Sequence, residues 1–165
     1  MQPLLLFSRA IDRMNAGFAV IADYCVLFAV LISAANAIVL WLVGRIPTWL
    51  NPIPDGIINN FSNSFLEIQW YLFAAVVMLG ASYTLKLNGH VRVDIIYSSL
   101  SDRGRLKVDI FGILVFMMPI LSFFLWLSWP FFWRSFSTGE MSNNAGGLIL
   151  WPAKIMLPLG FSLLW

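Results

Sequence analysis

Long apolar runs alternate along this chain with short segments that are polar, basic or rich in proline. Four runs stand out, at residues 24–43, 68–85, 110–133 and 155–165. A helix needs roughly 20 apolar residues at about 1.5 Å each to cross about 30 Å of hydrocarbon, and the first three runs approach or reach that length. The fourth reaches Trp165 with no polar or cationic flank, so its helix is expected to continue beyond the sequence. With their flanks, the runs predict spans over residues 18–43, 65–87, 107–133 and 152–165 of a single membrane domain covering 1–165. Ahead of the first span, Leu4, Phe7, Ile11 and Met14 recur at helical spacing while Arg9, Asp12 and Arg13 face elsewhere. That spacing predicts an amphipathic helix over 3–16 lying in the membrane interface. The expected fold class is an all-α integral membrane protein with four transmembrane helices, both ends inside, and an N-terminal interfacial helix.

Composition strengthens this reading. Hydrophobic residues make up 60% of the chain and charged ones 11%, against roughly 45–50% and 25% in soluble domains. A soluble bundle of this composition would have too little polar surface to meet water. The apolar runs are also too long and too numerous for a signal peptide.

The charges decide orientation. Arg9 and Arg13 precede the first span, and Lys86, Arg92, Arg103, Arg105 and Lys107 lie between the second and third, whereas the alternate loops hold only Arg45, Arg134 and Lys154. By the positive-inside rule both chain ends and the central loop face the cytoplasm, close to anionic phospholipid. Asp94, Asp102 and Asp109 dilute the basic loop, and it carries no nucleic-acid-binding motif, so no nucleic-acid partner is expected. Six tryptophans, Trp41, Trp49, Trp70, Trp129, Trp133 and Trp151, fall near the two outward loops and predict an aromatic belt there.

The outward loops are built for turns. Pro47, Pro52, Pro54 and Gly56 exclude a continuous helix across 44–64, and the polar segment 135–147 ends in Gly146 and Gly147. In the central loop, Ser101 is placed to cap the third span with Asp102 in its first turn. Residues 91–95 alternate like a strand, yet an unpaired strand at a membrane leaves its backbone unsatisfied, so a short interfacial helix is expected instead.

Few residues offer chemistry. Cys25 and His90 are the only residues of their kinds, which excludes an internal disulfide, a thiolate metal cluster and a paired-histidine haem site. Asp23, Glu67 and Asp109 open the first, second and third spans rather than sitting at mid-depth, where a charge costs about 2.5–3.5 kcal/mol on insertion scales. Arg45 closes the first span and Glu67 opens the second across a turn-rich loop, which predicts an ion pair between them. Within the spans Asn36 is the clearest polar group, and its amide needs hydrogen bonds that lipid cannot supply. Pro119, Pro130, Pro152 and Pro158 can bend the last two spans. The first pair of spans has no matching prolines, so no internal repeat emerges.

The segment Asn88-Gly89-His90-Val91-Arg92-Val93-Asp94 resembles the His-Val-x-Val-Asp signature of the small membrane subunit of tripartite ATP-independent periplasmic (TRAP) transporters, the DctQ family. Asn36 and Arg45, then Glu67, then Ser137, Glu140 and Ser142, followed by Trp151, Pro152, Pro158 and Gly160, fall in that family's order, so the resemblance runs over nearly the whole chain. It implies a non-enzymatic accessory scaffold subunit of a sodium-driven importer in the bacterial inner membrane. It also implies two partners, a large DctM-type elevator subunit and a periplasmic solute-binding protein. The same residues, with His90, Arg92 and Asp94, are then expected at subunit interfaces or in structural roles. No cofactor or metal is expected on this chain, sodium being expected on the large subunit. The rival from another class is a small membrane anchor of an enzyme or electron-transfer complex.

Overall fold

A computed structural model describes residues 2–47, 54–90, 95 and 97–165. Among these residues the secondary structure is helical, with one isolated bridge between Met141 and Ile149. Helix α1 spans Gln2–Val43 and helix α2 spans Asp55–Lys86. A single 3-10 turn, Tyr97–Ser99, precedes the long helix α3, Asp102–Thr138. Helix α4, Trp151–Leu164, is interrupted by a turn at Ile155. Helices α1, α2 and α3 are each long and apolar enough to cross a membrane, whereas α4 spans about 21 Å at 1.5 Å per residue.

The expected separate interfacial helix over 3–16 is instead the beginning of α1, which continues without a break through Gly17. One interior glycine costs only about 1 kcal/mol, and no proline or second glycine follows it before the helix end, so nothing stops the hydrogen-bond ladder. The resulting helix is about 63 Å long. Its third turn meets the end of α2, where Asp12 pairs with Lys86 at 3.1 Å.

The sequence sets the helix ends. Helix α2 starts after Pro54 and stops where Asn88 takes a left-handed conformation (φ 52°). The Asn88 and Gly89 amides then donate to the carbonyls of Leu85 and Thr84, the Schellman pattern that satisfies a helix C-terminus. Asn88 and Gly89, which open the signature segment, are therefore a helix stop. Ser101 caps α3 by accepting from the Gly104 amide at 3.4 Å, as expected. Within α3, residues Gly112–Met117 form a π segment just before Pro119. Proline offers no N–H to the carbonyl four residues back, and a five-residue step skips the missing donor.

Helices α1 and α2 lie antiparallel, with α4 parallel to α2 in the groove beside them. Ala22, Ala75 and Leu79 form the core, joined by Phe18, Cys25, Met156 and Leu163. Small side chains permit the close approach that membrane helices use in place of a hydrophobic drive. A Cβ on Gly160 would stand 2.6 Å from Met78 Cβ, so α4 touches α2 through bare backbone. Helix α3 runs antiparallel to α4 along an aromatic seam. Phe124 stacks on Phe161 at 5.4 Å, Phe136 meets Trp151 edge-on at 5.5 Å, and Trp165 Nε1 donates to Ser122 Oγ at 2.9 Å.

Candidate functional site

The clearest polar constellation forms where the segment between α3 and α4 folds back onto α2. Gly139 ends α3 in a left-handed conformation (φ 61°), and the Glu140 amide donates to the Ser135 carbonyl. The Leu150 amide donates to the Glu140 carbonyl, and the Ser142 amide to the Leu148 carbonyl, which close residues 140–150 into a narrow loop.

Glu67 holds this loop from α2. Its side chain is 2% exposed, yet it accepts three hydrogen bonds, from the Ser142 hydroxyl, from Asn144 Nδ2 at 2.9 Å and from the Leu148 amide at 2.7 Å. A buried carboxylate is tolerable only when its lone pairs are met in this way. Neighbouring positions on α2 extend the grip: Asn63 donates to the Ala145 carbonyl, Ser64 to Gly146 and Tyr71 to Ile149. Gly146 has a φ of 74° and lies so close to the Asn60 backbone that a Cβ would overlap it, so only glycine fits there.

A second charge guards the loop entrance. Glu140 pairs with Lys154 of α4, whose ammonium also lies 4.3 Å from the Phe131 ring. That ammonium holds the Glu140 carboxyl below its ordinary value of 4.5. A carboxylate whose value is lowered by folding contributes stability above the unfolded value and loses it as pH falls through the folded one. Loop 140–150 should therefore lose amide protection as pH drops below about 4.5, and Lys154→Met should remove that part of the acid sensitivity. Hydrogen exchange of the loop from neutral to acid pH in both proteins checks this, and identical acid profiles would exclude the pair as a contributor.

The structure brings Glu67 and Ser142 together as hydrogen-bond partners and sets Glu140 at the same loop. It separates Arg45 from Glu67. Asn36 of α1 lies level with Phe61 and Phe65 of α2, so Arg45 stands on the order of 20 Å beyond Glu67 along the hairpin. Its guanidinium instead covers the Trp41 ring at 4.4 Å, a cation–π contact on its own helix. Sequential ends suggested a pair that the register of two antiparallel helices does not permit.

The remaining expected residues are scattered. Ser137 donates to the Arg134 carbonyl on an exposed turn, Trp151 belongs to the aromatic seam, and Pro152 lies in the first turn of α4. Pro158 and Gly160 are buried in α4. His90 is exposed after α2 and borders a hollow shared with Asp23 and Thr84. Arg92 and Asp94 lie outside the described residues, as do Trp49, Pro52 and the strand-like stretch 91–94. Asn63, Ser64, Tyr71, Asn144 and Lys154 belong to the site without having been singled out by sequence. The available signal was a polar, glycine-rich loop opposite a lone in-span glutamate.

Three long apolar helices and a buried carboxylate that braces a loop define a polytopic helical membrane protein. The description "Tripartite ATP-independent periplasmic transporters, DctQ component" matches residues 59–165, and the chain belongs to this family. It is thus a TRAP transporter component of the inner membrane and not an enzyme. No curated protein and no solved structure matches it.

Proposed function

We propose that this chain is the accessory scaffold subunit of a sodium-driven TRAP importer. It anchors a large DctM-type elevator subunit, which carries substrate and sodium, and presents loop 140–150 toward the periplasmic solute-binding protein. The observation that carries this reading is the state of Glu67. Its carboxylate is taken up by three donors of its own chain and so serves to hold a loop still. A moving transport site needs polar groups free to meet solute or ion, and intramembrane charges usually serve that purpose.

In this reading the chain crosses four times and both ends are cytoplasmic, as the bias of basic residues supports. The end carrying Asp12 and Lys86 then faces inward and loop 140–150 outward. In a Cys25-free protein, a single cysteine at Asn60 should react with a membrane-impermeant thiol reagent from outside, and one at Ser99 should not. The reverse labelling would invert the topology.

The functional test exchanges this subunit for a relative from a system with another substrate, while the large subunit and binding protein stay the same. Uptake of both solutes is then measured in proteoliposomes. Uptake should require a small subunit, and solute preference should be unchanged by the exchange. A preference that follows the small subunit would place substrate contacts on this chain.

A further inference from the structure

Beyond α4 and on the side of α2 away from loop 140–150, helices α1 and α2 enclose a groove of about 230 Å³. Val39 and Leu40 of α1 line it with Ile57, Phe61 and Phe65 of α2. Ile57, Phe61 and Phe65 share one face at four-residue spacing, whereas Asn60, Ser64 and Glu67 take the adjoining face toward the loop. The groove residues stay open: Leu40 is 42% exposed and Phe61 63%.

One polar group breaks the apolar lining of α1. Asn36 is 7% exposed, borders the groove, and makes no hydrogen bond to any described residue. An amide at this depth has a donor and an acceptor to satisfy, and hydrocarbon satisfies neither. An acyl chain could fill the apolar volume but would leave the amide unpaired, at a cost comparable to a lost buried hydrogen bond. Ser33 and Ala37, both exposed on the Leu40 side of the same turns, allow another helix to approach closely.

We propose that this groove is the docking site for a transmembrane helix of the large membrane subunit. That helix inserts a tyrosine or tryptophan whose ring fills the apolar volume while its O–H or N–H donates to Asn36. Such side chains combine a large apolar body with a polar tip and are enriched at the centres of interfaces. The proposal rests on the scaffold reading above and specifies which face meets the partner.

The test uses the small and large subunits purified together in nanodiscs, with a benzophenone photo-cross-linking residue at Val39, which is 47% exposed. Mass spectrometry should find the adduct on a large-subunit peptide. Adducts on phospholipid or on a second copy of this chain would overturn the docking site while the scaffold reading stands. Failure of the wild-type chains to co-purify would overturn both. Asn36→Leu should weaken the subunit affinity about tenfold, with helix content unchanged by circular dichroism. Ile57→Trp, which plugs the groove from its exposed rim, should weaken it at least as much. Unchanged affinity in both variants excludes the groove as the interface.

Discussion

Glu67→Ala is expected to release loop 140–150 and to lower stability by about 2–4 kcal/mol, because three donors lose one shared acceptor. A hydrogen bond to a charged group contributes about 1.5–3 kcal/mol, and a donor left buried without a partner costs about 1–3 kcal/mol. Those penalties do not simply add, since the loop can lift from α2 and hydrate its amides in water. The lifted state therefore sets the ceiling on the loss. Hydrogen exchange should locate it at Ser142 to Leu150, with the Leu148 amide most affected. Glu67→Gln should fall between the two proteins: it keeps one acceptor oxygen but presents an NH2 group where the second oxygen received a donor. Exchange at the Leu148 amide that is unchanged in Glu67→Ala would show that Glu67 does not hold the loop.

Gly160→Leu is expected to force α4 away from α2, and even Gly160→Ala should cost about 1–3 kcal/mol by overpacking. The added Cβ would lie 2.6 Å from Met78 Cβ and 2.7 Å from the Met78 carbonyl oxygen. That oxygen belongs to the interior of α2 and cannot move without moving the helix. Met78→Ala removes the flexible end of the side chain and leaves both Cβ and carbonyl, so it should rescue Gly160→Ala only slightly. Thermal unfolding of the four proteins in one detergent measures this. A Gly160→Ala protein as stable as the wild type would mean that the helices do not meet at this register.

These two sites mark different degrees of legibility. Glu67, Glu140 and Ser142 were visible as polar residues in the order of a family pattern. Their bonding was not, because Glu67 and Ser142 are joined only after α3 has carried the chain away and the loop has brought it back. Lys154 counts in the sequence only as a loop charge and Asn144 not at all, since a lysine near a helix end and an asparagine in a loop are ordinary by position. Gly160 was noted only within the pattern, because a glycine's role depends on what its missing side chain would strike. Asn36 stands out by its chemistry as well as by its place in the family pattern, and the groove beside it needed the pairing of α1 with α2.

The sequence by itself determined the helices and their solvent, since backbone hydrogen bonding in hydrocarbon admits little else over apolar runs of this length. It also determined local ends such as the Ser101 cap, where donor and acceptor lie three residues apart. Tertiary structure alone decided the separation of Arg45 from Glu67 and the clamp on Glu67. Each of those depends on helix register, and a shift of a few residues between two apolar cylinders changes every cross-helix contact while leaving the hydrophobic pattern along each chain the same.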